Sequence, residues 1–178
     1  MILEEAINKL FRDIINTITG VSGYAIRAKQ DAPRPQGSYA DVDFISDVSI
    51  GREQSVLVDN IGDDDITQHI TGAREIMLSL GFYRTGAMDA ARQVRIGLMR
   101  QSSYETMYSA GVGINSRSVV RDISEALESG WEPRSQFDIV VNAVGTDEDI
   151  IRSILSVNIE GDFKTQGETI PVNVEVNT

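Results

Sequence analysis

Few residues in this chain have types and spacings suited to chemistry. It carries one histidine, His69, and no cysteine. Disulfides, thiolate nucleophiles and cysteine-ligated zinc are therefore excluded, and a lone imidazole removes the usual transition-metal sites. His69 stands between Thr67 and Thr71 on the polar side of an alternating stretch, with no G-x-S-x-G anywhere to supply a nucleophilic serine. It reads as a solvent-facing strand residue. Asp59, Asp63, Asp64 and Asp65 could hold a hard cation through oxygen ligands. Their spacing lacks the D-x-D-x-D-G pattern and distal glutamate of a calcium loop, so a solvated acidic loop is the simpler reading. Thr146-Asp-Glu-Asp149 is likewise acidic and reads as a turn between two strands. Gly111-Val-Gly113 is half a dinucleotide fingerprint, without the third glycine, the preceding strand or the following helix. No nucleophile, base and oxyanion donor come together. The expectation is an interaction protein with no catalytic, cofactor-binding or metal residues. A small α+β ligand- or metal-binding enzyme stays open as the alternative.

The elements that must position these residues follow from hydrophobic period. Leu3, Ala6, Ile7, Leu10, Phe11, Ile14, Ile15 and Ile18 alternate spacings of three and one, which makes an apolar stripe on a helix over 3–18. Glu4, Glu5, Asn8, Lys9, Arg12, Asp13 and Asn16 fill the other face, and their mixed sign argues against a membrane-surface helix. A short extended piece at 24–28 and the Pro33-Arg34-Pro35 segment lead to a strand over 39–50. There Ala40, Val42 and Phe44 alternate with Tyr39, Asp41 and Asp43. An acidic turn at 60–65 joins it to a strand over 66–83, and the pair reads as a β-hairpin.

A second helix is expected over 86–100, with Thr85 as N-cap and Arg92, Arg95 and Arg100 toward its C-terminal half, where the dipole favours cations. Ser102-x-x-Glu105 resembles a capping box for one further turn. A short strand at 119–123 follows, then a connector at 124–130 read as containing a helical turn. Strands around 137–143 and 155–163 come next, and Ile170, Val172, Val174 and Val176 alternate as an edge strand. The order predicts an α+β fold, a mainly antiparallel sheet flanked by two helices. One domain is expected over 1–165, with 166–178 as a C-terminal extension supplying an added edge strand.

The bulk numbers bound function from another side. The 178 residues fit one compact domain, and 41% apolar content is enough for a core. With 27 acids against 16 Lys plus Arg the formal charge is −11, so the net field repels a polyanion and sequence-specific nucleic-acid binding is disfavoured. The N-terminus lacks the basic start and apolar run of a signal peptide, and no stretch approaches the roughly 20 apolar residues of a membrane span. The expectation is a soluble chain folded in a cytosol.

Two stretches carry a family resemblance. Residues 27–44, R-A-K-Q-D-A-P-R-P-Q-G-S-Y-A-D-V-D-F, resemble a signature of the neck and tail terminator proteins of tailed bacteriophages: an APRP element, a tyrosine a few residues on, then an alternating strand. Residues 131–144, W-E-P-R-S-Q-F-D-I-V-V-N-A-V, are similar to a second element of that family. Residues 149–163, D-I-I-R-S-I-L-S-V-N-I-E-G-D-F, look like its closing strand. The resemblance implies a virion structural protein at the head–tail junction, present in host cytoplasm during assembly. Such a protein forms a ring, commonly hexameric, that caps the tail tube and joins it to the head connector. Its implied partners are further copies of itself, the tail tube protein, a head connector or adaptor protein, and a sheath protein if the tail is contractile. DNA would be only passing, non-specific cargo in the ring's lumen, and no membrane is involved. Another head–tail connector or completion adaptor is the nearest alternative.

Within that reading Pro33, Arg34, Pro35, Tyr39, Trp131 and Arg134 are candidate subunit-interface residues. Two prolines fix φ and hold Arg34's fork ready for a neighbour's carboxylates. Asp63, Asp64 and Asp65, or Asp147, Glu148 and Asp149, are candidates to line the lumen or a docking rim, where their charge would keep DNA from sticking.

Overall fold

The computed structural model describes residues 2–59, 65–127, 130–152, 156–165 and 168–177, with side chains over 3–58, 66–127 and 130–151. The chain divides into two compact units: residues 1–53 with 72–145, and residues 54–71 with 146–178.

The first unit is a sheet with helices on one face. Helix α1 (Ile2–Thr19) buries the predicted stripe, with Ile7, Phe11, Ile14, Ile15 and Ile18 all nearly or wholly sealed from water. Asn8, expected on the polar face, is instead buried, and its amide donates to the Val42 carbonyl at 3.0 Å. A short polar side chain reached inward because a sheet carbonyl was there to accept from it. The side-chain Oδ1 of Asn16 accepts from the Ala25 amide and so fixes where β1 (Ala25–Arg27) begins.

Strand β1 pairs parallel with β2 (Tyr39–Asp59), Ala25 opposite Ala40. Next in the sheet come β3 (Asp65–Tyr83), β8 (Arg134–Arg152) and β4 (Gly113–Arg117), while β5 (Arg121–Asp122) also pairs with β8. Asp41 lies beside Gly81 and Glu53 beside Gly72, so β2 and β3 run antiparallel. Ser79 beside Asp138 and Arg74 beside Gly145 give β3 and β8 the same relation. The pairings of β4 and β5 with β8 are antiparallel as well, with a bulge between Ile114 and Ser116. The fold class is the expected α+β one.

Alternation decides which face is covered. Ala40 and Val42, then Ile76, Leu78, Leu80 and Phe82, then Phe137, Ile139, Val141 and Ala143 turn to the helices and are buried. Each large side chain so buried contributes about 1.5–3 kcal/mol. Helix α2 (Ala87–Gly97) closes on them through Ala87, Ala91 and Val94. It meets α1 so closely at Gly97 that an added Cβ would lie 2.6 Å from Ile18 Cγ2.

Several expectations are corrected here. The second helix ends at Gly97, not at 100, and its N-cap is Gly86 with no side-chain cap; the Thr85 carbonyl accepts from Ser38 Oγ instead. The further helical turn is a full helix, α3 (Gln101–Ser109), whose cap position is Arg100 rather than Ser102. The connector at 124–130 holds no helical turn among its described residues. It carries β6 (Glu125–Leu127), paired antiparallel with β7 (Gly130–Glu132).

The second unit holds the outer parts of β2, β3 and β8, with β9 (Ser156–Thr165) and β10 (Glu168–Asn177). Thr146–Asp149 is not a turn: it lies inside β8. Local turn propensity lost there to a strand-length pairing partner, as it often does in sheets. The C-terminal strand β10 pairs antiparallel with β9 from Glu168↔Thr165 to Asn177↔Ser156, in a two-stranded sheet. Leu155, and Asp63 and Asp64 of the acidic loop, lie outside the described residues, as do the side chains of Asp59 and Asp65.

Candidate functional site

The face of the first unit's sheet turned away from the helices is built from the alternate residues of the same strands. Its first row is Tyr39, Tyr83 and Arg134. The two tyrosine rings stack with centroids 4.6 Å apart and planes 12° from parallel, and the Arg134 guanidinium sits 5.8 Å from the Tyr83 ring centre. In the next row Asp41 turns inward, its carboxylate accepting from the Gly81 amide at 3.1 Å and the Tyr83 hydroxyl at 3.0 Å. Gly81 has to be glycine for this: a Cβ there would meet Asp41 Oδ1 at 2.3 Å. Burial raises the Asp41 pKa, and these two hydrogen bonds only partly offset it. Burial likewise raises the Tyr83 pKa, with the Asp41 charge adding to it.

The row beyond holds Asp138. Its carboxylate accepts from Ser79 Oγ at 2.8 Å and Gln136 at 3.3 Å, and it pairs with Arg121. Its backbone exchanges bonds with Ser118 in both directions, the Asp138 amide donating to Ser118 Oγ and the Ser118 amide to the Asp138 carbonyl. A polar ladder therefore stitches β3, β8 and β5 together.

At the end of this face the two motifs singled out in the sequence meet. Glu132, whose side chain is only 11% exposed, lies among three arginines: Arg134 donates to it at 2.7 Å, Arg84 approaches to 3.8 Å and Arg34 to 3.9 Å. Burial opposes the charge on Arg134, but Glu132 and Glu125 outweigh it and hold the guanidinium firmly protonated. Ser124 Oγ accepts from the Arg134 amide, and the Arg84 amide donates to the Pro133 carbonyl at 2.7 Å. Arg84 also donates to the Gly37 carbonyl at 3.3 Å, and Ser38 to that of Thr85. The proline segment is thus held beside the β7–β8 corner by the Arg34 and Arg84 ion pairs to Glu132 and by the Arg84–Gly37 and Ser38–Thr85 hydrogen bonds.

The six expected interface residues sort by exposure within this clamp. Tyr39 is buried in the stack and Arg134 is largely enclosed by its carboxylates; these two hold the site together. Pro33, Arg34 and Trp131 face solvent, Trp131 at 74% exposure. Pro35 is half-buried. The sequence reading missed Asp41, Tyr83, Arg84 and Glu132 as members of the site. Only Glu132 carried a signal, as the acid between Trp131 and Arg134.

The other candidates lie in the second unit. Asp147, Glu148 and Asp149 are exposed on β8, and Glu148 comes within 3.3 Å of His69 Nδ1. Among the described residues no cluster of acids and histidine is arranged to hold a metal ion. The site as built can bind and position; it offers no nucleophile with its base.

A family model described as phage neck terminator protein matches residues 5–168 of the chain. No curated protein matches it.

Proposed function

The chain belongs to the phage neck terminator protein family, and from that premise we propose that it acts by self-association and docking, without catalysis. Its role is that of a phage neck structural protein. Copies form a ring, hexameric in this reading, that caps the finished tail tube and meets the head connector, with DNA passing through the lumen. Tube protein, connector or adaptor protein and, in a contractile tail, sheath protein are its partners.

The observation that carries this reading is the family match across nearly the whole chain. The clamp supports it physically. A ring closes only if each subunit is held at a fixed angle to the next, and a segment stiffened by two prolines and tied through Arg84 to the strand corner supports such rigidity while leaving Arg34 and Trp131 outward. Arg and Trp are the residue types that anchor interfaces most often. Asp147, Glu148 and Asp149, exposed together, suit a docking rim. Residues 166–178 serve as an extension to a terminator domain over 1–165. No helix among the described residues is long and apolar enough to cross a membrane.

Negative-stain imaging of particles assembled without the chain tests the role. Overlong tubes or tails detached from heads are expected; particles of normal length and attachment would overturn it.

A further inference from the structure

A groove of about 600 Å³, apolar on one side and polar on the other, opens between α3, the end of α2 and strand β4. Leu98, Met107, Val112 and Ile114 line its floor, with Met99 and Tyr104 at the lip, 64% and 57% exposed. Arg95 and Arg117 line it as well, and Arg100 falls between the lining residues Met99 and Gln101 in the chain. Most arginines described in this acidic chain pair with a carboxylate: Arg12, Arg27, Arg34, Arg74, Arg84, Arg92, Arg121 and Arg134 all do. Among the described residues Arg52, Arg95, Arg100 and Arg117 do not. Arg95 donates to the Ser118 carbonyl and Arg117 to the Arg95 carbonyl, each at 2.8 Å, leaving their charge uncompensated. Glu75 and Glu105 accept from the neutral amides of the groove-lining Asn115 and Gln101 and pair with neither Arg95 nor Arg117.

The complement of such a groove is an extended segment bearing carboxylates and aliphatic side chains. The chain displays one. Asp147, Glu148, Asp149, Ile150 and Ile151 follow one another on β8, the acids exposed and the isoleucines at 68% and 38% exposure. Five strand residues span about 17 Å. Of the three acids Glu148 alone has a described side-chain neighbour that can carry positive charge, His69, whose Nδ1 lies at 3.3 Å.

We propose that this groove receives the Asp147–Ile151 segment of a second copy. The inference rests on the ring reading above and gives it a contact. Groove and segment are different surfaces, so the contact is head-to-tail, the kind that generates rings. The protein's negative charge also makes another copy a fitting source of carboxylates, since charge complementarity both steers and selects partners.

The absence of native cysteine makes the test direct. Full-length Ser116→Cys and Thr146→Cys variants are mixed under mild oxidation. Heterodisulfide in excess over both homodisulfides is expected. Arg100→Glu with Arg117→Glu in the Ser116→Cys chain should lower its yield about tenfold, and Asp147→Lys with Asp149→Lys in the Thr146→Cys chain should restore it. That rescue separates a lost contact from a lost fold. Crosslinks in statistical proportion, yields indifferent to charge reversal, or no crosslink at concentrations that form rings would overturn the proposal. So would assembled particles in which Ser116→Cys is joined to a chain of another kind. If the crosslink fails while particles lacking the protein still show the neck defect, only this contact falls and the neck reading stands.

Discussion

The two faces of the first unit's sheet are made by the same strands, residue by residue, and are held by different physics. The helix-covered face is a continuous apolar layer in which Phe82 and Phe137 stack at 5.9 Å among wholly buried aliphatics. The open face is a ladder of hydrogen bonds and ion pairs running from Glu132 through Asp41 to Asp138. Burial energy is non-directional and scales with area, so the covered face supplies stability. Polar contacts cost much when left half-made and yield little net when complete, so the open face supplies geometry.

The sharpest way to break the contrast is to delete volume on each side. Phe137→Ala should destabilise the protein by about 3–5 kcal/mol, transfer loss and cavity together. Val144→Ala lies on the same strand but on the open side, 63% exposed, and should change stability by no more than about 0.5 kcal/mol. Urea denaturation of both variants checks the pair. Equal losses would mean that the open face is covered in solution.

A smaller effect is expected at the clamp. Glu132→Gln keeps the shape and removes the charge that Arg34, Arg84 and Arg134 share. Arg134 keeps Glu125 but the half-enclosed Arg84 loses its carboxylate, and the change should cost about 1–3 kcal/mol. A melting curve indistinguishable from wild type would show that the cluster is ornamental.

The same division explains what the sequence made legible. The period of α1 and the alternation of 39–44 and 137–143 announce the covered face, because burial writes itself into spacing. The clamp does not, since its partners lie far apart in sequence: Arg84 reaches Gly37 and Pro133, and Ser79 reaches Asp138. Prolines at 33 and 35 and the Trp131–Arg134 element marked the place without revealing that they meet. Where local chemistry and pairing disagreed, pairing won. Thr146–Asp149 has turn-forming residues yet lies within β8, and Asn8 has a polar side chain yet is buried under β2.

Asp41 gives a pH signature of the open face. Its pKa in the folded protein is raised above 3.8, chiefly by burial, so the folded state holds this proton more tightly than the unfolded chain does. Below the ordinary carboxylate range the group is neutral in both states and adds no charge penalty. As pH rises through the raised value, the native state must bury a charge and stability falls. Asp41→Asn should remove that component and leave the remaining pH profile intact, which urea titrations at about pH 4 and about pH 7 would show. An unaltered difference between the two pH values would assign it elsewhere.

The smallest effect on stability belongs to Arg34. It stands 63% exposed and 3.9 Å from a carboxylate that already has Arg134 as a closer partner, and a solvent-screened pair of that length contributes under about 1 kcal/mol. Arg34→Ala should therefore unfold at nearly the wild-type denaturant concentration. If the clamp exists to present this guanidinium to another chain, the same variant should fail to form rings, measured by light scattering on the chromatographed protein or by imaging of assembled particles. Arg34→Lys should restore assembly incompletely, because an ammonium lacks the two-pronged match to a carboxylate. A variant that assembles normally would leave the prolines as stiffeners of the subunit alone and move the search for the interface to Trp131 and the groove.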